Sequence, residues 1–273
     1  TTVPQAVVLA NPCRVETLPG WSKGEVAVQD LGAQVAGSIW QTFVQPTLYT
    51  SARKQRPLRI LDACTAPGGK LFHLLEILAA NNISAEVVAL ESSAHRATQT
   101  RAAAEHLGHT VDLHVADATT LDWWSGVPFD HVLLDAPCSG TGTLRRHPDI
   151  KVLLQEGQIE QHAETQLQLL NNLWRTVSAG GTLLYCTCSL LEEENDLVID
   201  AFLADESARP GSPSKNDADA VQTNTGVTPQ VLPLNLASGY QRRRGWQLSP
   251  IEPTTDGFYY ALLHKPGPHQ TAT

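Results

Sequence analysis

Five short apolar runs, separated by loops and by stretches of helical periodicity, constrain the fold of this chain more than any other feature. They occupy residues 58–61, 87–90, 111–115, 129–134 and 182–186, and a last strand is expected at 258–263. Strands that alternate with helices form a parallel sheet with helices on both faces. The sequence therefore predicts an α/β protein with a doubly wound, mostly parallel sheet.

Helical periodicity and capping residues predict the helices between these strands. Ser93 has the position of an N-cap before an alanine-rich helix. Ser189 and Glu192 have the spacing of a capping box, which predicts a helix from there to about residue 203. The other helices are expected at residues 30–44, 71–78 and 158–178, and the apolar stripe of the last, which should stop at Gly180 and Gly181, is interpreted as core rather than binding surface.

Charge and cysteine usage exclude several classes of protein. The formal net charge of −9 argues against sequence-independent binding to phosphate backbones, so any contact with RNA would use local basic patches. The five cysteines lack the spacing of a zinc site or a disulfide framework. No apolar run is long enough to span a bilayer. We therefore expect a cytoplasmic monomer with reduced thiols, no metal and no membrane partner.

Composition divides the chain into one main domain with flanking segments. Residues 46–266 are predicted to form this domain, residues 1–45 a lead-in helix and the remainder of a linking region, and residues 267–273 a tail. Residues 205–235 are rich in Ser, Pro, Asn, Asp and Gly, which is typical of a mobile surface insertion. The chain has no Met and begins Thr-Thr-Val-Pro, so it is expected to be a fragment of a longer protein.

The loop after the first strand has the character of a cofactor loop. Gly68 and Gly69 lie where a strand turns into a helix, so the backbone can approach a ligand and the helix N-terminus can point N–H groups at it. The loop matches neither GxGxxG nor a Walker sequence, which disfavours dinucleotides and ATP. Glu91 at the end of the second strand could accept hydrogen bonds from both hydroxyls of a ribose, and Asp117 after the third could meet the base. The three strand ends together predict a cleft for an adenosine-containing ligand.

Two further loops place cysteines at the same sheet edge. Cys138 follows the fourth strand in Asp-Ala-Pro-Cys-Ser-Gly, and Cys188 follows the fifth in Cys-Thr-Cys-Ser. Cys13, Cys64 and Cys186 are interpreted as ordinary small apolar side chains. Cys188 is expected to be a thiolate because it precedes a predicted helix N-terminus.

A thiolate beside such a cleft suggests a definite chemistry. Carbon 5 of a pyrimidine becomes nucleophilic only after addition at carbon 6, and a cysteine can make that addition. Carbon 5 then takes a methyl group, a base removes its proton and the cysteine is eliminated. Asp135 could contact the cytosine edge, and burial could raise its pKa enough for it to donate a proton to the ring.

At these residues the sequence resembles the RsmB (Sun) family of bacterial small-subunit ribosomal RNA cytosine-C5 methyltransferases, from about residue 24 to residue 263. The joint occurrence of DAPCSGTG and a TCS loop is typical of RNA cytosine-C5 methylation, and RRHPDIK and DGFYYA favour this family over its tRNA-acting relatives. The motifs are VAVQDLGAQ (26–34), LDACTAPGGK (61–70), the acidic residues Glu91 and Asp117, LLDAPCSGTGTLRRHPDIK (133–151), GGTLLYCTCSLLEEEN (180–195) and DGFYYALL (256–263).

The resemblance implies a Rossmann-like class I fold dependent on S-adenosylmethionine, with an antiparallel C-terminal strand, and 16S ribosomal RNA as the partner. It implies that Cys188 is the nucleophile and that Cys138 assists product release, while Asp135 contacts the cytosine. The cofactor-binding residues that it implies are Cys64, Thr65, Ala66, Pro67, Gly68, Gly69, Lys70, Glu91, Asp117 and Asp135.

Basic residues near the Cys138 loop are candidates for RNA contact. Arg145, Arg146, His147 and Lys151 follow that loop, and residues 242–244 form a second basic run before Trp246, which could stack on a base. Three alternatives stay open at this point: methylation of a tRNA or of another rRNA cytosine, a non-catalytic RNA-binding module, and a methyltransferase for small molecules or proteins.

Overall fold

The computed structural model describes residues 3, 6–45, 56–208, 228–251 and 255–267. Nine strands in these ranges form one sheet, whose main path runs in the order β3-β2-β1-β4-β5-β9-β8-β7, while β6 pairs with β9. The strands are β1 (Leu58–Ala63), β2 (Ala85–Glu91), β3 (Asp112–Val115), β4 (Phe129–Asp135), β5 (Val177–Thr187), β6 (Gln230–Leu232), β7 (Tyr240–Gln241), β8 (Trp246–Gln247) and β9 (Tyr259–His264).

The first five strands pair in parallel and the later strands in antiparallel, which confirms the predicted fold class. β1 pairs with β2 and with β4, and β5 extends the parallel part. β9 then runs antiparallel to β5, with Cys186 opposite Tyr260. The strand order reverses between β1 and β4, and ligands of open α/β sheets bind at the carboxyl ends of strands beside such a reversal.

The helices are α1 (Leu31–Ile39), α2 (Gly69–Ala80), α3 (Ala94–His106), α4 (Ile150–Leu153), α5 (Gln158–Thr176) and α6 (Asp196–Ala208), and a π-helical turn, Trp40–Val44, continues α1. The side chain of Asp30 accepts a hydrogen bond from the Gly32 N–H at 2.8 Å and caps α1. Ser93 caps α3 in the same way through the N–H of Arg96, as its position in the sequence predicts.

Two apolar layers cover the faces of the sheet. On one face, α1 and its π-helical turn bring Ile39 and Trp40 against buried residues of β1, β4 and β5. On the other face, Trp174 of α5 meets Phe202 of α6 edge to face, with ring centroids 5.4 Å apart. Full burial of a side chain such as Phe202 contributes about 1.5–3 kcal/mol.

Because α1 packs in the same core as the sheet, the predicted domain boundary at residue 45/46 follows a helix that is part of that core.

The predicted end of the long helix is wrong by two residues. α5 ends at Thr176, and β5 begins at Val177, before the two glycines. Val177 is extended and pairs with Phe129, and the register then shifts so that Thr182 pairs with His131. Gly180 has a φ of +71° inside this irregularity. The glycines therefore form a bulge within a strand, where the sequence suggested a helix stop.

The capping box predicted at Ser189 is also wrong. A short 3₁₀ turn, Glu192–Glu194, follows the Cys188 loop, and the helix α6 begins only at Asp196. The hydroxyl of Ser189 donates to the carboxylate of Glu194 instead of capping a helix. The serine thus contacts the glutamate five residues on, where the capping-box spacing predicts one three residues on.

The predicted insertion at 205–235 is shorter than its composition suggests. Helix α6 continues through Ala208, and Gln230–Leu232 forms strand β6 beside β9. Leu234 is buried in the core. The rest of the predicted insertion, residues 209–227, lies outside the described residues, as does the end of the predicted tail.

Within the described ranges, none of the helices has the length and apolar character required to cross a membrane. The same ranges contain no cluster of three or more His, Cys, Asp or Glu side chains arranged to hold a metal ion.

Candidate active site

The carboxyl ends of the parallel strands surround one open cleft of about 280 Å³. Cys64 follows β1, Glu91 ends β2, Asp117 lies two residues beyond β3, Asp135 ends β4 and Cys188 follows β5. Parallel strands bring all five to one edge, as the sequence predicts. The lining is Cys64, Ala66, Leu90, Glu91, Ser92, Arg96, Ala116, Asp117, Ala118, Thr119, Asp135, Ala136, Pro137, Cys138, Thr165, Leu169 and Cys188.

The glycine loop forms the floor of the cleft with only part of its length. Cys64 and Ala66 line the cleft, but Thr65, Pro67, Gly68, Gly69 and Lys70 do not. Gly68 has a φ of +100°, and a Cβ there would lie 2.5 Å from the ring of Phe72. Glycine is therefore required for the turn itself, which lets the backbone pass close to α2.

Glu91 is aimed at the cleft by its neighbours and is buried, with only 2% of its surface exposed. Its Oε1 accepts the N–H of Ser93 at 2.9 Å. Its Oε2 is buried and accepts no hydrogen bond from the described part of the chain, although Arg96 Nη1 lies 3.6 Å away. A buried acceptor of this kind costs free energy unless a ligand or water completes it. Glu91 is thus not the exposed cap that a lone carboxylate at a strand end suggests.

Arg96, Thr165 and Leu169 are lining residues that sequence reasoning missed. Arg96 donates to the carbonyl of Ala66 at 2.7 Å and so joins α3 to the glycine loop. Thr165 and Leu169, four residues apart on α5, face the cleft. The apolar stripe of α5 does pack in the core, as expected, through Leu170 and Trp174. The turn that carries Thr165 and Leu169 forms a wall of the site as well.

Asp135 and Lys70 form an ion pair at the centre of the site. Lys70 Nζ lies 2.6 Å from Asp135 Oδ2 and 4.6 Å from the centroid of the Phe258 ring. Burial opposes the charge on Lys70, but Asp135 outweighs it and raises the pKa of that ammonium. The side chain of Asp135 keeps 31% of its surface exposed. Asp135 is thus only partly buried, and its partner in the site is a cation.

Cys138 and Cys188 meet at the cleft, with their sulfur atoms 3.4 Å apart. The hydrogen bond from Cys138 lowers the pKa of Cys188, although burial opposes this. The same bond, together with burial, raises the pKa of Cys138 well above its ordinary value. Of the two thiols, Cys188 is therefore the one that loses its proton more readily. The expectation that a helix N-terminus activates Cys188 is wrong, since α6 starts eight residues later.

The remaining thiols near the site stay protonated. Burial, with smaller contributions from Asp135, Asp62 and Glu91, raises the pKa of Cys64 to about 12. Burial also raises the pKa of Cys186 well above its ordinary value. Cys13 lies exposed near the N-terminal end of the described chain. Proximity to the cleft alone therefore does not make a thiolate.

The basic patches are largely engaged with acidic side chains. Arg146 Nε lies 3.0 and 3.1 Å from the two carboxylate oxygens of Asp256, and Arg145 lies 3.6 Å from the same carboxylate. His147 and Lys151 are exposed. Arg242, Arg243 and Arg244 form ion pairs with Glu192, Asp196 and Asp200.

Trp246 is only partly exposed, and its indole N–H donates to the carbonyl of Ser238 at 2.7 Å. It also packs against the core. The second predicted RNA patch is thus internally neutralised, and its aromatic residue is held by the protein.

Comparison with known proteins agrees with this geometry. A family model described as 16S rRNA methyltransferase RsmB/F matches residues 50–264. The chain is 42% identical over 260 residues to ribosomal RNA small subunit methyltransferase B of Pseudomonas syringae, covering 95% of this chain and 51% of that protein. It is 38% identical over 267 residues to the probable enzyme of the same name from Coxiella burnetii, covering 96% and 54%. The chain thus spans about half the length of these relatives.

The solved structures show the same fold. The crystal structure of NSun6 from Pyrococcus horikoshii with SFG superimposes with a TM-score of 0.71 at 23% identity, covering 93% of this chain and 56% of that one. Since the family model covers most of the chain, the chain belongs to the RsmB/F family of 16S rRNA methyltransferases.

Proposed function

We propose that the chain transfers a methyl group from S-adenosylmethionine to carbon 5 of a cytosine in 16S ribosomal RNA through a covalent adduct of Cys188. The observation that carries this proposal is the contact between the sulfur atoms of Cys188 and Cys138, 3.4 Å apart beside a cleft with acidic walls. A methyltransferase for small molecules or proteins has no use for such a pair. A non-catalytic RNA-binding module would not need the activated thiol.

The residues of the cleft fit the proposed cofactor. Glu91 offers a buried carboxylate oxygen that accepts no hydrogen bond from the described residues, which suits a ribose hydroxyl. Asp117 is exposed at the far end and could meet the base, while Cys64 and Ala66 bring the loop backbone alongside. When bound, S-adenosylmethionine supplies an electrophilic methyl group. Thr65, Pro67, Gly68 and Gly69 would act through the shape of the loop rather than by lining the cleft.

Cys188 opens the proposed reaction on the base. Its Sγ forms a bond to carbon 6. The electron pair of the carbon 5–carbon 6 double bond moves to carbon 5 and is delocalised into the rest of the ring, which makes carbon 5 nucleophilic. After carbon 5 has been methylated, a general base removes its proton. The double bond then forms again, the Sγ–carbon 6 bond breaks and Cys188 leaves as a thiolate.

Two neighbours assist Cys188 in this scheme. Cys138 holds a proton beside the leaving sulfur, so its S–H can stabilise the departing thiolate and speed product release. Asp135, fixed by Lys70, presents its carboxylate at the cleft, where it can accept a hydrogen bond from the amino group of cytosine.

RNA contact is proposed for Arg145, His147 and Lys151, which are exposed or half-exposed beside the Cys138 loop, with Arg146 held by Asp256. We also propose that residues 46–266, with the packed helix α1, form the methyltransferase unit of a cytoplasmic monomer. The larger part of the RNA contact would then come from the portion of the relatives that this chain does not span.

The test is methyl transfer from radiolabelled S-adenosylmethionine to 16S rRNA, followed by nucleoside analysis. The expected product is 5-methylcytidine, absent with Cys188→Ala. Label at another atom or in protein would overturn the proposal, and transfer to tRNA alone would support the tRNA alternative.

A further inference from the structure

The serines that follow the two cysteines converge on one buried carboxylate. Ser139 donates its backbone N–H to Glu194 Oε1 at 2.7 Å and its hydroxyl to Oε2 at 2.5 Å. The hydroxyl of Ser189 donates to the same Oε2. Glu194 is fully buried, so these bonds form away from solvent. A single side chain therefore ties the Cys138 loop to the Cys188 loop.

The contacts of Glu194 require an acceptor. Besides the two serines, the amide of Gln166 approaches Oε1 at 3.4 Å, and that amide also donates to the carbonyl of Pro137, just before Cys138. All these groups donate, and an ionised carboxylate only accepts. Hydrogen bonds to a charged group are worth more than neutral ones, and more still away from water. An amide in place of Glu194 would have to turn an N–H₂ group towards a donor.

Glu194 also acts on Cys138 through its charge. After the hydrogen bond to Cys188, burial and the charge of Cys188, Glu194 adds to the causes that raise the pKa of Cys138. The leading charge effects on Cys188 are those of Asp135, which opposes the thiolate, and Lys70, which favours it. A negative charge at Glu194 therefore disfavours a second negative charge on Cys138.

We propose that Glu194 is a positioning residue for the cysteine pair: it holds the two loops in register and keeps the shared proton on Cys138, so that Cys188 is the nucleophile. The inference deepens the proposed function and rests on it for the role of Cys188. Other charged or titratable groups that face the pair are Asp135, Lys70, Arg146, Tyr185 and Tyr260. None of these groups is altered by a substitution at Glu194, so their effects on the two thiols are common to the wild type and the variant.

The experiment measures the initial rate of alkylation of each thiol by iodoacetamide as a function of pH, on the full chain, with peptide mass spectrometry. In the wild type we expect Cys188 to react at lower pH than Cys138. In Glu194→Gln the profile of Cys138 should move to lower pH and that of Cys188 to higher pH. The gap, which is the difference in pH between the midpoints of the two profiles, should therefore narrow. Glu193→Gln, the same change at an exposed neighbour, should leave both profiles in place.

A second variant keeps the test decisive if Glu194→Gln does not fold. Ser139→Ala removes one hydroxyl contact, keeps the backbone N–H bond and should narrow the gap less. In methyl transfer, both variants should lower kcat more than they raise KM for RNA. Unchanged alkylation profiles in folded variants, as judged by circular dichroism, would overturn the inference even if thermal stability fell.

Alkylation needs neither RNA nor cofactor, so the two proposals fail separately. A gap that depends on Glu194 in a chain that transfers no methyl group would overturn the proposed function and leave the control of the pair intact. If the gap is the same in Glu194→Gln as in the wild type and the chain transfers methyl groups, the proposed role of Glu194 is overturned and the proposed function stands.

Discussion

Cys64 and Cys188 occupy equivalent places in the sheet and have opposite chemistry. Each directly follows a parallel strand and lines the same cleft. Burial and three carboxylates raise the pKa of Cys64 to about 12. A donated hydrogen bond lowers the pKa of Cys188. The sheet edge thus has two halves: a half at β1–β3 with fixed acceptors, called the cofactor half after its proposed ligand, and a cysteine half at β4–β5 with a hydrogen-bonded pair of thiols.

The difference lies in the partners that each half supplies. In the cofactor half the charged neighbours of Cys64 are mostly negative, which suits the capture of hydroxyl and amino groups. In the cysteine half Cys138 and Lys70 favour the thiolate of Cys188. The end of a strand determines where a thiol lies. The residues that surround the thiol, which are distant in sequence, determine its pKa and therefore its reactivity.

The largest effect should come from removing the thiolate. Cys188→Ala should lower the rate of methyl transfer by roughly a thousandfold or more, as expected for the loss of a covalent nucleophile. Cys64→Ala should lower it by less than about tenfold, since that thiol stays protonated and only lines the cleft. Single-turnover kinetics would compare the two variants. Equal losses in the rate of methyl transfer would contradict the different roles proposed for the two halves.

The next effect concerns the cofactor half. Glu91→Gln should raise the Kd for S-adenosylmethionine by roughly 10- to 100-fold, because hydrogen bonds from the ligand to a charged acceptor are weakened. Calorimetry measures it. Glu86→Gln on the same strand is the control, since Glu86 is exposed and pairs with Arg59 away from the cleft. Equal affinities of both variants for the cofactor would contradict the assignment of Glu91.

A smaller change tests the cysteine half. Cys138→Ala removes the S–H that stabilises the Cys188 thiolate, so the pKa of Cys188 should rise and its alkylation profile should move to higher pH. The sign follows because a lost donor destabilises only the charged form. A shift to lower pH would contradict this assignment, because it would mean that Cys138 accepts the hydrogen bond from the Cys188 thiol rather than donating one to its thiolate.

The smallest effect is expected at the surface. Lys151→Ala should weaken binding of 16S rRNA a few-fold and reduce the slope of log affinity against log salt by about one. Arg244→Ala should change neither, because Asp200 lies 2.6 Å from that guanidinium. Filter binding at several salt concentrations measures both. A larger effect at Arg244 than at Lys151 would place the RNA on the other basic run.

Strand positions and local caps could be predicted from the sequence because they depend on nearby residues. The apolar runs located β1 to β5, and Ser93 caps the helix that it precedes. Family membership is likewise confirmed. The roles assigned to Cys188, Cys138 and the cofactor loop stay predictions.

Contacts between distant residues could not be predicted. Lys70 and Asp135 are 65 residues apart in sequence, and the Ser139–Glu194 bond spans 55. Local rules therefore assigned Ser189 to a capping box and attributed the acidity of Cys188 to a helix. Lining residues from α5 were missed for the same reason, since nothing local shows which turn of a core helix borders a cleft.

The central claim is tested most directly with 16S rRNA that contains 5-fluorocytidine, whose fluorine blocks the final removal of the proton from carbon 5. With S-adenosylmethionine, we predict a protein–RNA complex that survives a denaturing gel, is lost with Cys188→Ala and persists with Cys13→Ala. A complex that persists with Cys188→Ala, or no complex although RNA and cofactor both bind, would contradict the covalent mechanism.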